Sequence, residues 1–391
     1  MKEIFDILEE YSKVDFTEKK AAIATVVRVE GSSYRQPGAR MLITDDGKLT
    51  GAISGGCLEG DALRKALLVM SRGKPMLVTY DTSDENDAVL GIGLGCNGLI
   101  HILIEPIDPA DPANPVCLLR TTTLKRQRSV LITLFSMEDK YRNQLGTCLA
   151  YAENGTIFGS SDPSIPSEVI ASLAREVLEG KTSTIKRISF QGNEITAFAE
   201  LINPNISLVI AGAGNDVMPL AKLAGMMGWY ITLLDGRPSH ATCQRFPSVN
   251  QILVAEAGQA LSKIAVDERT VFVLMTHNYN YDVVLLEQLL GMKVPYIGVL
   301  GPRKKLDRML LELKSGDRLR EFTGFDNIYG PVGLDIGAET AEEIALSVVA
   351  EIKAVLSGKP GKPLRNKADS IHNRMAEEKI PELKKQAGVR P

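Results

Sequence analysis

The 391-residue sequence predicts an α/β protein: a C-terminal parallel sheet wrapped by helices, preceded by an α+β region containing an internal duplication. Three observations predict it. From Ile206 onward, short apolar strands (ISLVIA, YITLLD, QILVA, VFVLMT, VPYIGVL) alternate with helical stretches, the signature of a parallel sheet. The first of these strands runs directly into GAGNDV and then a helix, the arrangement of a Rossmann-like domain. Before Ile206, a glycine-punctuated hairpin pattern occurs twice at constant spacing.

Taken in order, Met1 to about Lys13 reads as an amphipathic helix and Ala21–Glu30 as a strand. GSSYRQPGAR interrupts the apolar pattern, and MLITDDGKLTGAI reads as a hairpin turning at Asp46-Gly47. After Ser54-Gly55-Gly56-Cys57, the spacing of Leu63, Ala66, Leu67 and Met70 makes Glu59–Arg72 a helix. Pro75–Tyr80 and Leu99–Glu105 are strands, separated by a polar loop and the glycine-rich GIGLGCNG. The prolines between Pro106 and Pro115 mark a linker. A last amphipathic helix spans Ala338–Leu356, and the Lys- and Pro-rich chain from Gly358 is a loose or partner-docked extension. The expected domains are therefore 1–108, 116–203 and 206–357, with a tail 358–391.

Composition narrows the function classes. A net charge of −3 leaves no basic footprint for nucleic acid, and 5% aromatics supply few stacking platforms for single strands. No apolar run approaches the roughly 18 residues of a membrane span. The opening MKEIFDILEEYSK has neither the basic nor the apolar region of a secretion signal. Five scattered cysteines without CxxC spacing argue against a disulfide framework and a structural zinc. A cytoplasmic protein that binds neither nucleic acid nor membrane is expected, assembled as a homodimer, the commonest arrangement of soluble chains.

The duplication separates fold from chemistry. ATVVRVEGSSYRQPGARMLITDDGKLTGAI aligns with LITLFSMEDKYRNQLGTCLAYAENGTIFGS. Gly38, Gly47 and Gly51 fall on Gly146, Gly155 and Gly159, each 108 residues later. Both stretches carry a Tyr-Arg pair (Tyr34-Arg35, Tyr141-Arg142), and both lead into a helix ending in Gly-Lys. Glycines in register mark turns whose geometry excludes a side chain. The second copy reads SSDPSIP where the first reads SGGCLEG, and it has no counterpart of TSDENDAVLGIGLGCNG. What only the first copy carries is surplus to the fold and is the better candidate for chemistry.

In the leading copy, Ser33, Arg35, Gly38 and Arg40 of GSSYRQPGAR suit an anion-binding loop. Gly55 and Gly56 leave Cys57 open just ahead of a helix, where the dipole favours a thiolate. Gly95 opens Cys96 in the same way. Both thiols are candidate reactive groups and soft metal ligands. Glu59 reads equally as a base or as the acid that a first helical turn favours. The other cysteines read as small hydrophobes.

In the trailing domain, Gly212 permits a tight turn and Gly214 lets a helix start approach phosphate, with Asn215 in the same loop. Asp235 ends the next strand, where it would accept from ribose hydroxyls, and Arg237 follows it. Val217 at the third glycine position and Asp216 beside the phosphate site depart from an ordinary NAD fingerprint, so a Rossmann scaffold without nucleotide stays open. Thr276 and His277 follow one strand, and Gly301, Arg303 and Lys304 follow another. Ligands of such sheets lie beyond these strand ends, which makes His277 a candidate acid or base and Arg303 a candidate phosphate ligand.

Together GSSYRQPGARMLITDDGKLTGAISGGCLEGDAL, GLGCNG, GAGNDVMPLAKLAGMMGWYITLLDGRP, LMTHNYNYD, YIGVLGPRKK and PVGLDIGAETAEEIALSVVAEI resemble the xanthine dehydrogenase accessory factor family (XdhC/CoxI). The resemblance covers about 8–107 and 206–352. It implies a maturation factor, a cofactor-binding chaperone more than a catalyst. Such a protein binds the molybdenum cofactor (molybdopterin, a pyranopterin with a terminal phosphate) and supports its sulfurated form, with a cysteine desulfurase as partner. It then delivers the cofactor to an apo molybdenum hydroxylase. The residues alone leave an alternative: an NAD(P)-dependent oxidoreductase using the Gly212 loop, with His277 as acid/base and Asp235 selecting NAD. On the first reading, the Cys57 and Cys96 loops and the Gly212 turn should converge on one ligand.

Overall fold

The computed structural model describes residues 1–82, 98–138, 144–160, 165–190, 193–315, 325–367 and 377–379. Gly95 and Cys96, and the Tyr141-Arg142 pair, lie outside the described residues. The chain divides into two compact units, Glu3–Pro204 with the short strand Glu377–Lys379, and Asn205–His372.

The first unit opens with α1 (Lys2–Tyr11), which buries Ile4, Ile7 and Tyr11 at helical spacing. Strands β1 (Ala21–Gly31), β2 (Arg40–Thr44), β3 (Leu49–Gly51), β4 (Met76–Asp81) and β5 (Gly98–Pro106) form an antiparallel sheet in the order β3-β2-β1-β5-β4. Helix α2 (Glu59–Arg72) lays Ala62, Ala66 and Val69 against Ala22, Ala24 and Ile102, and ends at left-handed Gly73. Inside the expected linker region a helix begins, α3 (Pro115–Thr121). Its signal was short but complete: Asn114 Oδ1 accepts from the Val116 and Cys117 amides, and Pro115 opens the first turn.

Strands β6 (Ser129–Phe135), β7 (Gly146–Ala152), β8 (Ile157–Gly159), β9 (Thr184–Phe190) and β10 (Asn193–Ile202), with helix α4 (Ser167–Gly180), repeat this plan in the order β8-β7-β6-β10-β9. The strand Glu377–Lys379 adds to the β9 edge in parallel. The repeated glycines share their backbone angles, with φ of 95° and 84° at Gly38 and Gly146, and 86° and 80° at Gly51 and Gly159. A Cβ at Gly51 would fall 2.3 Å from the Arg40 carbonyl oxygen, and one at Gly159 would fall 2.3 Å from that of Cys148. The register read from the sequence is thus a register of backbone crossings.

The two sheets meet over a core of matched residues: Val27 with Phe135, Leu77 with Ile185, and Leu103 with Phe198. They also exchange carboxylates. Glu200 on β10 accepts from both terminal nitrogens of Arg40 on β2, at 3.1 Å from Nη1 and in a closer bond from Nη2, and abuts Gly38. Glu105 on β5, the equivalent strand, accepts from the Thr147 amide (2.6 Å) and hydroxyl (2.9 Å) and abuts Gly146. Each copy sends one acid into the bend of the other.

The second unit contains β11 (Ser207–Ala211), α5 (Val217–Met226), β12 (Tyr230–Asp235), β13 (Gln251–Val254), α6 (Ala257–Ala260), β14 (Thr270–Leu274), α7 (Tyr279–Leu290), β15 (Ile297–Val299), α8 (Arg303–Ser315), β16 (Ile328–Tyr329) and α9 (Ala341–Leu356). All six strands are parallel, in the order β13-β12-β11-β14-β15-β16. Every residue of β11 and β14 is buried, as a sheet covered on both faces requires. Leu220 and Ala221 of α5 with Val348 and Ile352 of α9 cover one face; Leu285 and Leu289 of α7 with Leu306 and Met309 of α8 cover the other. Helix α9 starts three residues later than its apolar pattern suggested, because Thr340 and Glu343 close a capping box there. Strand order reverses between β11 and β14, which opens a crevice beyond their carboxyl ends. Among the described residues, no helix is long and apolar enough to cross a membrane.

Candidate functional site

In the second unit a cavity of about 690 Å³ lies at this crevice, lined by Asp235, Arg237, Glu256, Thr276, His277, Tyr279 and Tyr281 among others. A smaller one of about 400 Å³, lined by Gly214, Asn215, Arg237, Ser239, His240 and Arg245, shares Arg237 with it. The loops after β11, β12 and β14 supply most of these groups, so the fold gathers here Gly214, Asn215, Asp235, Arg237, Thr276 and His277 of the residues picked from the sequence.

Their roles differ from the expected ones. Gly212 is buried, with φ 124°, and a Cβ there would fall 2.3 Å from the Met275 carbonyl oxygen; the glycine is required by the crossing of β11 and β14. Asp235, expected to meet a ribose, is 3% exposed and already fully engaged. It accepts from the Ala213 amide (2.7 Å), the Arg237 amide (2.8 Å), and Arg237 Nε (2.9 Å) and Nη2 (2.8 Å). Four donors fill the lone pairs of one carboxylate. Burial pushes this carboxyl up, yet the Arg237 side chain and the amides outweigh it and hold the carboxyl below its ordinary value. Asp235 therefore clamps the loop. Asn215 accepts from Arg245 Nη2 at 2.8 Å, and Arg245 Nη1 donates to the carbonyls of Ala213 (2.9 Å) and His240 (2.7 Å). The sequence reading did not pick Arg245 as a site residue; it lies ten residues beyond β12.

His277 stands in the left-handed region (φ 57°) and meets Asp216 Oδ2 through Nε2 at 2.8 Å. A non-glycine residue held there is a strained choice that packing alone seldom calls for. Thr276 donates to Asp282 Oδ1 at 2.6 Å. Asp282 is fully buried, and Lys305 Nζ donates to its Oδ2 at 2.7 Å and to the Leu300 carbonyl at 2.9 Å. This buried network floors the cleft. Arg303 and Lys304 stand outside this network, both exposed, and Arg303 pairs with Asp307 at 3.1 Å along its own helix. Gly301 (φ 122°) packs on the Lys305 side chain, where a Cβ would lie 3.0 Å from Cδ. Burial, followed by the charges of Asp235, Asp282 and Glu256, pushes the Tyr281 hydroxyl up to about 12, so it stays a donor, to the Ala255 carbonyl at 2.6 Å.

In the first unit, Tyr34 stacks its ring 3.7 Å from where a Cβ of Gly55 would be, which brings the GSSYRQPGAR and SGGCLEG loops together. The loop is organised around Ser54. Its Oγ lies 3.2, 3.1 and 3.1 Å from the amides of Gly56, Cys57 and Leu58 and donates to Glu59, whose Oε1 accepts from the Ser54 amide at 2.9 Å. Glu59 is thus the acid of the first helical turn, not a base. Burial pushes its carboxyl up, but the Ser54 hydroxyl and amide bring it below its usual value. The amides an anion would have used are filled by Ser54. Arg40 is 2% exposed and held by Glu200, so it too is corrected from ligand contact to structural ion pair, with Gly38 beneath the same carboxylate. Arg35 pairs with Glu3. Two buried atoms, Ser33 Oγ and Arg35 Nε, have no hydrogen-bond partner among the described residues. Cys57 is a free, half-buried thiol beside this pair of loops. Among the described residues, no group of three or more His, Cys, Asp or Glu side chains is placed to hold a metal.

Comparison with known proteins bears on both units. The XdhC Rossmann domain pattern matches residues 208–352, and that of the XdhC and CoxI family matches 17–81. The chain is 33% identical to a probable xanthine dehydrogenase subunit of Bacillus subtilis over 86% of its length and 93% of that protein. It is 26% identical to the molybdenum cofactor insertion chaperone PaoD of Escherichia coli, over 86% of this chain and 84% of that one. A crystal structure of a xanthine dehydrogenase from Bacillus halodurans superposes with a TM-score of 0.73 at 29% identity, covering 93% of this chain and 99% of the other.

Proposed function

Because this chain belongs to the XdhC and CoxI family, we propose that it is a maturation factor that binds the molybdenum cofactor and delivers its sulfurated form to a molybdenum hydroxylase of the xanthine dehydrogenase type. The observation that carries the reading is the Cys57 loop. A free thiol stands on a turn pre-formed by Ser54 and Glu59, next to a loop whose Ser33 Oγ and Arg35 Nε lack protein partners among the described residues. Buried polar atoms without partners are costly unless a ligand supplies them. When bound, the cofactor would supply a molybdenum centre with soft-ligand affinity, for which a cysteine sulfur is a suitable donor. Ser54 and Glu59 would orient the loop, Tyr34 would shield it, and Ser33 and Arg35 would bond a polar edge of the cofactor. Cys96 is the second thiol of the proposal. A cysteine desulfurase as sulfur source, a homodimeric assembly and a cytoplasmic setting complete it.

The test is anaerobic titration of the purified protein with molybdenum cofactor. Saturable binding is expected, weakened by Cys57→Ala and unchanged by Cys117→Ala, whose sulfur already bonds Asn114 Nδ2 at 3.3 Å. Equal binding by the wild type and Cys57→Ala would remove the loop from the reading. An NAD(P)-dependent oxidoreductase draws support from the strand order and crevice of the second unit. An NAD-induced rise in melting temperature would favour it.

A further inference from the structure

We infer that the crevice of the second unit seats a phosphate monoester, and that its anion seat is the segment after β12, not the glycine loop. The inference rests on the cofactor-binding reading and deepens it by naming the chemical group that is recognised.

A dinucleotide site places a diphosphate against the amides that open the first helix. Here Asp216 fronts that position. Its Oδ1 lies 2.4 Å from where a Cβ of Gly214 would be, and its Oδ2 is 2.8 Å from His277 Nε2. A diphosphate lowered onto Gly214 would meet a carboxylate at contact distance, an arrangement that excludes partners by like charge. The Asp235 carboxylate that would take the ribose is saturated. Both contacts that define a dinucleotide are therefore closed.

Positive charge gathers beside them instead. Arg237 and Arg245 line the cavity of about 400 Å³ with Ser239 and His240, whose Oγ and Nδ1 lie 3.1 Å apart. Each guanidinium is held before any ligand arrives: Arg237 by Asp235, and Arg245 by the Ala213 and His240 carbonyls and Asn215. Arg237 Nη1 and Arg245 Nε make no hydrogen bond among the described residues. Two pre-positioned forks with free donors and a hydroxyl match one tetrahedral dianion, with little ordering left to do on binding. The larger cavity, which shares Arg237, takes the flat body of the ligand between Tyr279, Tyr281 and Thr276. A pterin carrying a terminal phosphate and a nucleotide carrying a 2′-phosphate present the same chemistry.

Calorimetric titration of the full chain with phenyl phosphate, NADP, NAD and molybdenum cofactor tests this. Phenyl phosphate and at least one of NADP and the cofactor should bind saturably, and NAD, which has no monoester, should not. Ser239→Asp puts a carboxylate at an exposed position and gives up only the exposed Ser239–His240 bond, leaving every bond of Arg237 and Arg245 in place; it should weaken monoester binding roughly tenfold or more, at an unchanged melting temperature. NAD binding as tightly as phenyl phosphate, or affinity indifferent to Ser239→Asp, would overturn the inference. Cofactor binding that Cys57→Ala weakens and Ser239→Asp spares would overturn it while leaving the delivery reading intact. Phenyl phosphate binding without any cofactor binding would do the reverse.

Discussion

Two buried acids, Asp235 and Glu105, shift in opposite directions, and the donors around each decide which. Burial pushes both up. Asp235 has a guanidinium fork and two amides, which overcome burial; Glu105 has one amide and one hydroxyl from Thr147, with the Arg40 charge as the smallest contribution, and burial wins. Linkage converts this into opposite slopes. The folded value of Asp235 lies below its ordinary 3.8, so its stabilisation is complete above that value and is lost as pH falls through the folded one. The folded value of Glu105 lies above its ordinary 4.5, so stability declines as pH rises from there through the folded value. Asp235→Asn should therefore lower stability at neutral pH and flatten the acid limb of a urea-unfolding series. Glu105→Gln should remove the decline on the alkaline side. An unchanged acid limb in Asp235→Asn would contradict the clamp. The sequence displayed Asp235 by its spacing from Gly214, but which partner would take its oxygens was invisible, because Ala213 and Arg237 approach it only once β11 and β12 pair. Lys305 was hidden for a related reason. In the run Arg303, Lys304, Lys305, only the starting phase of α8 decides which cation turns inward.

Elements were more legible than contacts. Strands β11 to β15 and the repeated hairpins followed from apolar periodicity and glycine register, since both record backbone geometry directly. β16 has two residues and α3 seven, too short for periodicity to speak. The glycines themselves offer a graded test. Gly47 has φ 87° with nothing near a Cβ, so Gly47→Ala should cost only the left-handed penalty of about 1 kcal/mol. Gly38→Ala adds a clash with Glu200 Oε1 at 2.5 Å, and Gly51→Ala one with the Arg40 carbonyl at 2.3 Å. Both should cost more than Gly47→Ala in equilibrium denaturation, with Gly51→Ala worst because a backbone atom cannot swing aside. Equal costs at all three would mean that the crossings are looser than they look.

At the scale of the whole chain, the single tryptophan gives one unit a private reporter. Trp229 is buried in the core of the second unit. Saturating phenyl phosphate should raise the fluorescence-detected unfolding transition, by about 2.7 kcal/mol at a hundred times Kd, while far-ultraviolet circular dichroism retains an unshifted component from the first unit. A single transition shifted as one block would show that the two units unfold together. Within the first unit the crossed acids set a limit on how far the second copy can decay. Cut away from its sibling, the leading half would lose the Glu200 carboxylate that pairs with the guanidinium of Arg40, which is buried in the intact chain. The cysteine-bearing loop was dispensable in the trailing half; its β10 glutamate was not. In such a tandem pair, the half that has lost the cysteine-bearing loop survives as the counter-ion of the half that keeps it.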